Sequence, residues 1–193
     1  LLLFPLLLHG AAGLVSRGHL VVLIHGLAGT SEDLSFLGEQ LVDRGEGAVQ
    51  VLSVKSNMGQ TTDGIWAGAE RCAEEVERTV RDAGGRLSRI SIVGNSLGGL
   101  YARAAATLLY DGQTGRIAGL SPDTFCTVAA PHLGVRGFTY VPTSAVPGAA
   151  RRALASALVG RTGRELMLDD DDNDAAPLVY RMATEQRFLD PLR

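Results

Sequence analysis

Ser96 is the residue whose neighbours point most directly to chemistry. It stands in the run Ile90 to Leu100, I-S-I-V-G-N-S-L-G-G-L, which fits G-x-S-x-G through Gly94, Ser96 and Gly98. A β-branched apolar stretch enters this motif and a helical pattern leaves it. That is the setting of a nucleophile elbow, a strand-to-helix turn tight enough to hold the serine in strained backbone geometry with its hydroxyl exposed. Glycines two residues before and two after the serine are needed because a Cβ at Gly94 or Gly98 would collide with the neighbouring strand or helix. Gly99 relaxes the packing further. A serine so placed attacks carbonyl carbon, which requires a base for its proton and donors for the oxyanion that forms. Histidine is scarce in the chain: His9, His19, His25 and His132, of which only His132 comes after Ser96.

The elements that must carry these residues read as alternating strands and helices. Leu20 to His25, L-V-V-L-I-H, is a short continuous apolar run of the kind that forms a strand buried on both faces of a parallel sheet. It ends in H-G-L-A-G, His25 to Gly29. Thr30 and Ser31 offer helix N-caps, Glu32 and Asp33 suit a first turn, and Leu34, Leu37 and Leu41 keep helical spacing until Gly45. Ala48 to Val54 reads as a second strand and Lys55 to Asp63 as a polar surface loop, with Asp63 placed to cap a second helix. Ile65, Ala69, Cys72, Val76 and Val80 mark the buried face of that helix, which Gly84 and Gly85 terminate. Ser88 to Val93 leads into the elbow, and Leu97, Leu100, Tyr101, Ala104 and Leu108 mark the helix leaving it, ending near Asp111 and Gly112. Asp123 to Ala129 reads as another buried strand before the turn A-P-H-L-G, Ala130 to Gly134. The region 148–159 suits an Ala-rich helix. This order argues for an α/β fold with a mostly parallel, doubly wound sheet and helices on both faces.

At 193 residues and 46% hydrophobic, the chain suits one domain with a real core. The expected division is an irregular N-terminal segment at 1–19, the domain proper at 20–168, and an acidic loop with a truncated remainder at 169–193. The net charge is −3 and only Lys55 among 18 basic residues is a lysine, so no basic field supports nucleic-acid binding. Cys72 and Cys126 are not at metal-ligand spacing and read as two buried free thiols, which suits an intracellular, reducing compartment. The acidic run Asp169 to Asp174 lacks the glycine pivot and closing glutamate of a calcium loop, so a solvated loop and no metal site are expected. Leu1 to Leu8 is apolar but far shorter than the ~20 residues of a membrane span. It reads as the ragged start of an incomplete chain and leaves room for contact with a membrane or lipid-droplet surface.

Four segments together carry a family resemblance: V-L-I-H-G-L-A-G at Val22 to Gly29, S-N-M-G-Q-T-T-D-G-I at Ser56 to Ile65, G-N-S-L-G-G-L-Y-A-R at Gly94 to Arg103, and A-A-P-H-L-G at Ala129 to Gly134. In this order and spacing they resemble the lipase-like serine esterase family of α/β-hydrolases, catalogued largely as a domain of unknown function. The resemblance runs from about Leu20 to about Leu168 and includes T-G-R-E-L at Thr162 to Leu166. It implies hydrolysis of a carboxylic ester, with a lipid acyl ester as the substrate, through an acyl-enzyme on Ser96 and with no cofactor. It implies that His25 and Gly26 shape the loop whose Leu27 N–H faces the oxyanion, and that the second N–H is that of Leu97. Asn95 replaces a histidine often found before the nucleophile in lipases, at a position that carries no chemistry. His132 matches a turn that forms the site rim, and a cap is expected from Ser144 onward.

The departure from that pattern concerns the rest of the triad. The acid and histidine of such enzymes come after the nucleophile, on loops beyond later strands. Here His132 belongs to the rim turn, and after Asp174 only Asp190 remains before Arg193. The acid, the base and the last strands are therefore expected beyond this sequence, with the 193 residues an N-terminal portion of a longer esterase. Two other readings share the residues. An acyltransferase or thioesterase would use the same acyl-enzyme with a different acceptor, and a non-catalytic module would keep the fold for binding alone.

Overall fold

The computed structural model describes residues 18–135, 159–170 and 176–192. The expected N-terminal segment up to 17, the Ala-rich helix up to 158, the cap from Ser144 and most of the acidic run lie outside them. Strand β1 (Gly18–Ile24) lies at the centre of the molecule, its residues from Leu20 onward all buried. Helix α1 (Ser35–Arg44) leads to β2 (Val49–Ser53), and α2 (Ile65–Asp82) leads to β3 (Leu87–Asn95). Helix α3 (Leu97–Leu109) begins almost at once. A small antiparallel pair, β4 (Tyr110–Asp111) with β5 (Arg116–Ile117), precedes β6 (Ser121–Val128). That hairpin is invisible in the residue pattern because each strand is two residues long. Residues 159–166 are helical (α4), and α5 (Leu178–Thr184) and α6 (Gln186–Leu189) close the described chain.

The sheet has the order β2-β1-β3-β6 and every pairing is parallel. Parallel neighbours need crossover helices, and right-handed crossovers that step in opposite directions place their helices on opposite faces. The step from β1 to β2 goes one way, and the steps from β2 to β3 and from β3 to β6 go the other. Helix α1 therefore covers one face, while α2 and α3 pack together on the other. The chain reverses direction between β1 and β3, so their carboxyl ends splay apart and leave a crevice. His25 stands just beyond β1 there, and Ser96 just beyond β3.

The core is one cluster: Leu20, Val22 and Ile24 of β1, Ile90 and Ile92 of β3, and the inner faces of α2 and α3. Phe188 and Met182 from the last helices close it against α3. Helix α3 is buried almost throughout, which explains its string of alanines and glycines between Leu97 and Leu109. Helices α2 and α3 approach closely at Gly68 of α2, where any side chain would enter the Tyr101 ring.

Several local expectations are corrected. Helix α1 begins at Ser35 after a turn, and its N-cap position is Leu34 without a side-chain cap. Thr30 instead donates its hydroxyl to the Asp33 carboxylate at 3.0 Å. Asp63 does not cap α2, because the Arg71 guanidinium holds its carboxylate at 3.0 Å. The loop before α2 is not simply surface, since Asn57 is 0% and Thr61 4% exposed. Strand β6 is not buried on both faces: it ends the described sheet, Val128 is exposed, and so is Cys126, the thiol expected to be covered.

Candidate active site

The elbow departs from ordinary backbone at the serine itself. Ser96 has φ 54° and ψ −124°, and α3 starts at the next residue. A side chain this close to its own backbone is strained, by about 1–3 kcal/mol, and survives only where the surroundings over-determine it. They do so from three sides. The Ser96 N–H donates to the Val128 carbonyl at 2.8 Å, which ties the elbow to the end of β6. A Cβ on Gly94 would lie 2.5 Å from the Gly98 carbonyl oxygen and 2.6 Å from the Gly99 Cα, so strand and helix touch there through bare backbone. A Cβ on Gly98 would run into the carbonyl oxygens of Ile24 and His25, which presses the first turn of α3 against the end of β1. One on Gly99 would strike the Ala130 methyl beyond β6. Asn95, the last residue of β3, pairs with Val128.

Across the crevice, Gly26 is the residue nearest the serine. A Cβ built on it would stand 3.0 Å from the Ser96 Cβ and 3.5 Å from its Oγ. The turn after it carries Leu27, 41% exposed, and Ala28, whose φ is 53°. Among the described residues no acceptor takes up the N–H of Leu27 or of Leu97, and Ser96 Oγ has no hydrogen-bond partner. Leu97 opens α3, where the helix leaves its first N–H groups unpaired and positive. Backbone N–H groups left open at a helix N-terminus favour a negatively charged group.

Among the described residues no histidine is hydrogen-bonded to the Ser96 hydroxyl. His19 sits at the start of β1, at the opposite end of the strand, with Nε2 2.8 Å from Ser91 Oγ. Its burial lowers its pKa, with Arg89 adding to the effect and Asp123 opposing it. His25 is 2% exposed, and its Nδ1 donates to the Gly26 carbonyl at 3.0 Å, while Nε2 is enclosed without a partner. That bond closes on the first residue of the turn beside Ser96. His132 has Nε2 2.9 Å from Thr127 Oγ1 and Nδ1 enclosed without a partner. Burial lowers its pKa, and the nearby Arg103 guanidinium lowers it further. The bond to Thr127 joins the turn after β6 to that strand.

The polar residues that the sequence pattern leaves unassigned form a network behind the Leu27–Ala28 turn. The Ala28 N–H donates to Thr61 Oγ1 at 2.9 Å. The Thr61 carbonyl accepts the Tyr101 hydroxyl at 3.2 Å and the Thr162 hydroxyl at 2.8 Å. Burial raises the Tyr101 pKa, so the phenol stays a proton donor. At the start of α2, the Gly64 N–H donates to Thr162 Oγ1 at 2.9 Å and the Ile65 N–H to the Glu165 carboxylate at 2.5 Å. The N-terminus of α2 is thus capped by residues a hundred positions away. Arg161 donates to the same carboxylate at 2.9 Å. Burial raises the Glu165 pKa, against the Ile65 and Arg161 hydrogen bonds that pull it down. Among the described residues no group of three or more His, Cys, Asp and Glu side chains could hold a metal ion, and no helix is long and apolar enough to cross a membrane.

A family model described as "Putative serine esterase (DUF676)" matches residues 15–192. Among curated proteins, the chain is 31% identical over 172 residues to "Putative lipase ROG1" of Saccharomyces cerevisiae, covering 86% of this chain and 24% of that protein. It is 31% identical over 161 residues to "Putative lipase C4A8.10" of Schizosaccharomyces pombe, covering 79% and 20%. A second S. cerevisiae protein, "Putative lipase YDL109C", is 26% identical over 175 residues, covering 88% and 26%. The chain therefore spans about a quarter of the length of the curated relatives it matches.

Proposed function

The chain belongs to the "Putative serine esterase" family, and from that premise we propose that it is the nucleophile-bearing part of a hydrolase of carboxylic esters, with lipid acyl esters as substrates. The observation that carries the reading is Ser96 at φ 54° and ψ −124° between β3 and α3, facing Gly26 across the switch point of the sheet. A strained serine with an unpaired hydroxyl has no structural use that a glycine would not serve better. In the reaction, Ser96 Oγ attacks the ester carbonyl while an imidazole takes its proton. The N–H groups of Leu27 and Leu97 hold the resulting oxyanion, the alcohol leaves, and water releases the acyl group from the serine.

We take the imidazole to be none of His19, His25 and His132: His19 Nε2, His25 Nδ1 and His132 Nε2 are bonded elsewhere, and His25 Nε2 and His132 Nδ1 are enclosed. We assign the base and its orienting acid to residues outside the described set, consistent with relatives about four times longer than this chain. The test is fluorophosphonate labelling of the full-length protein, with the adduct located by mass spectrometry. The expected adduct is on Ser96 and is absent from Ser96→Ala. An adduct on another serine, or ester hydrolysis that survives Ser96→Ala, would remove the reading.

A further inference from the structure

The proposed oxyanion donor Leu27 belongs to a turn that does not hold itself. Its next residue, Ala28, sits at φ 53°, in the left-handed region that a residue with a Cβ occupies only under constraint. The turn's own backbone supplies one bond, from the Gly29 N–H to the Gly26 carbonyl at 3.1 Å. The His25 ring adds a bond to the same Gly26 carbonyl at 3.0 Å, and the restraint on Ala28 itself comes from outside the turn, through its N–H to Thr61 Oγ1 at 2.9 Å. Thr61 is 4% exposed, so the bond is covered on the threonine side, while Ala28 itself is exposed. The Thr61 carbonyl is fixed in turn by the hydroxyls of Tyr101, on the helix that leaves the nucleophile, and of Thr162. One residue thus ties the turn on one side of the crevice to the helix on the other.

We propose that Thr61 is a positioning residue of the esterase site. Its hydroxyl sets the orientation of the Leu27–Ala28 peptide, and hence the aim of the Leu27 N–H at the oxyanion. This rests on the esterase reading above and adds to it a residue that touches neither substrate nor nucleophile. The oxyanion is present only in the transition state, so loosening its donor lowers kcat and leaves ground-state binding alone. Removing an oxyanion donor outright costs roughly 100- to 1000-fold in kcat, so a donor that is misaimed rather than absent sets an expectation of about 10- to 100-fold.

The experiment compares Thr61→Val, which keeps the shape and loses the acceptor, with Thr61→Ser, which keeps the acceptor, in the full-length protein. Steady-state hydrolysis of a soluble short-chain p-nitrophenyl ester is measured beside amide hydrogen exchange at Ala28. The expected result is a kcat about 10- to 100-fold lower in Thr61→Val with KM within about twofold, and kcat within about threefold of the parent in Thr61→Ser. Ala28 exchange becomes faster in Thr61→Val only. A Thr61→Val protein with unchanged kcat overturns the proposal, as does one in which kcat and KM deteriorate together or Ala28 stays protected. If the parent protein hydrolyses no ester and Ser96→Ala is indistinguishable from it, the esterase reading fails and the catalytic role of Thr61 fails with it. Ala28 exchange then still reports whether the brace itself exists.

Discussion

Ser96, Gly94 and Gly98 show how little freedom the elbow leaves at single residues. The strain of a serine at φ 54° is sustained because the first turn of α3 is wedged between two backbones. Gly98→Ala places a methyl on the carbonyl oxygens of Ile24 and His25, which are backbone atoms at the end of the central strand and cannot rotate away. We expect a loss of about 1–3 kcal/mol in a denaturant titration, the usual cost of overpacking. We also expect loss of Ser96 labelling in whatever fraction remains folded, since the helix must shift to admit the methyl. A Gly98→Ala protein with parental stability would mean that the helix stands further from β1. Ser96→Ala is the opposite case. It should fold at least as well as the parent, because alanine leaves the backbone contacts alone, and it should hydrolyse esters at least about 10⁴-fold more slowly. These residues were legible in the sequence because their constraint is local: the two glycines, the serine and the apolar run before them all lie within nine positions. Thr61 was not, because its partner Ala28 stands 33 residues away and nothing near either residue announces the bond.

At the scale of elements, the same distinction separates what could be read from what could not. The apolar stripe Ile65, Ala69, Cys72 and Val76 specified α2, and each of those residues is buried. Its cap was misread, because local capping rules pointed to Asp63 while Arg71 took that carboxylate. The start of α2 is instead covered by Thr162 and Glu165, which arrive with α4. Glu165 is 1% exposed, so removing its side chain strands the buried Ile65 N–H. Glu165→Ala should cost about 1–3 kcal/mol in a denaturant titration, the penalty of an unpaired buried donor. The carboxylate also carries a pH signature. Burial raises the Glu165 pKa above its unfolded value, so the folded chain holds this proton more tightly than the unfolded chain does. The stability this contributes is complete below the ordinary glutamate range and is lost as pH rises through the raised value. Glutamine does not titrate. The melting-temperature difference, Glu165→Gln minus parent, should therefore move in favour of glutamine as pH rises from the ordinary glutamate range toward neutrality. A difference that moves the other way would show that Arg161 and the helix N-terminus outweigh burial at this carboxylate.

For the molecule as a whole, the alternation of strand and helix was enough to predict the doubly wound parallel sheet, and the reversal between β1 and β3 explains why His25, Gly26 and Ser96 meet. Which strand stands at an edge was not readable. D-T-F-C-T-V-A mixes apolar and polar residues, unlike the wholly apolar L-V-V-L-I, but that pattern alone does not say which neighbours cover it. The two cysteines turn that difference into a measurement. Cys72 lies on α2 inside the core cluster with its Sγ 3.1 Å from Asn57 Nδ2, and burial pushes its pKa up to about 12. Cys126 is exposed on β6. Thiol reagents attack the thiolate, so a buried thiol held protonated reacts only when the structure opens. Treating the native 193-residue chain with iodoacetamide should modify Cys126 within the time an unstructured peptide thiol needs. Cys72 should react later, at a rate that rises with denaturant in step with global unfolding. Cys72 sits in the core cluster shared by β1, α2 and α3, so its protection measures the integrity of the sheet face that supports the elbow. Equal, fast modification of both thiols would mean that α2 opens separately from the sheet. In that event the Thr61 and Glu165 contacts at its start could not hold the Leu27 turn rigid, and the proposed oxyanion site would lose its support.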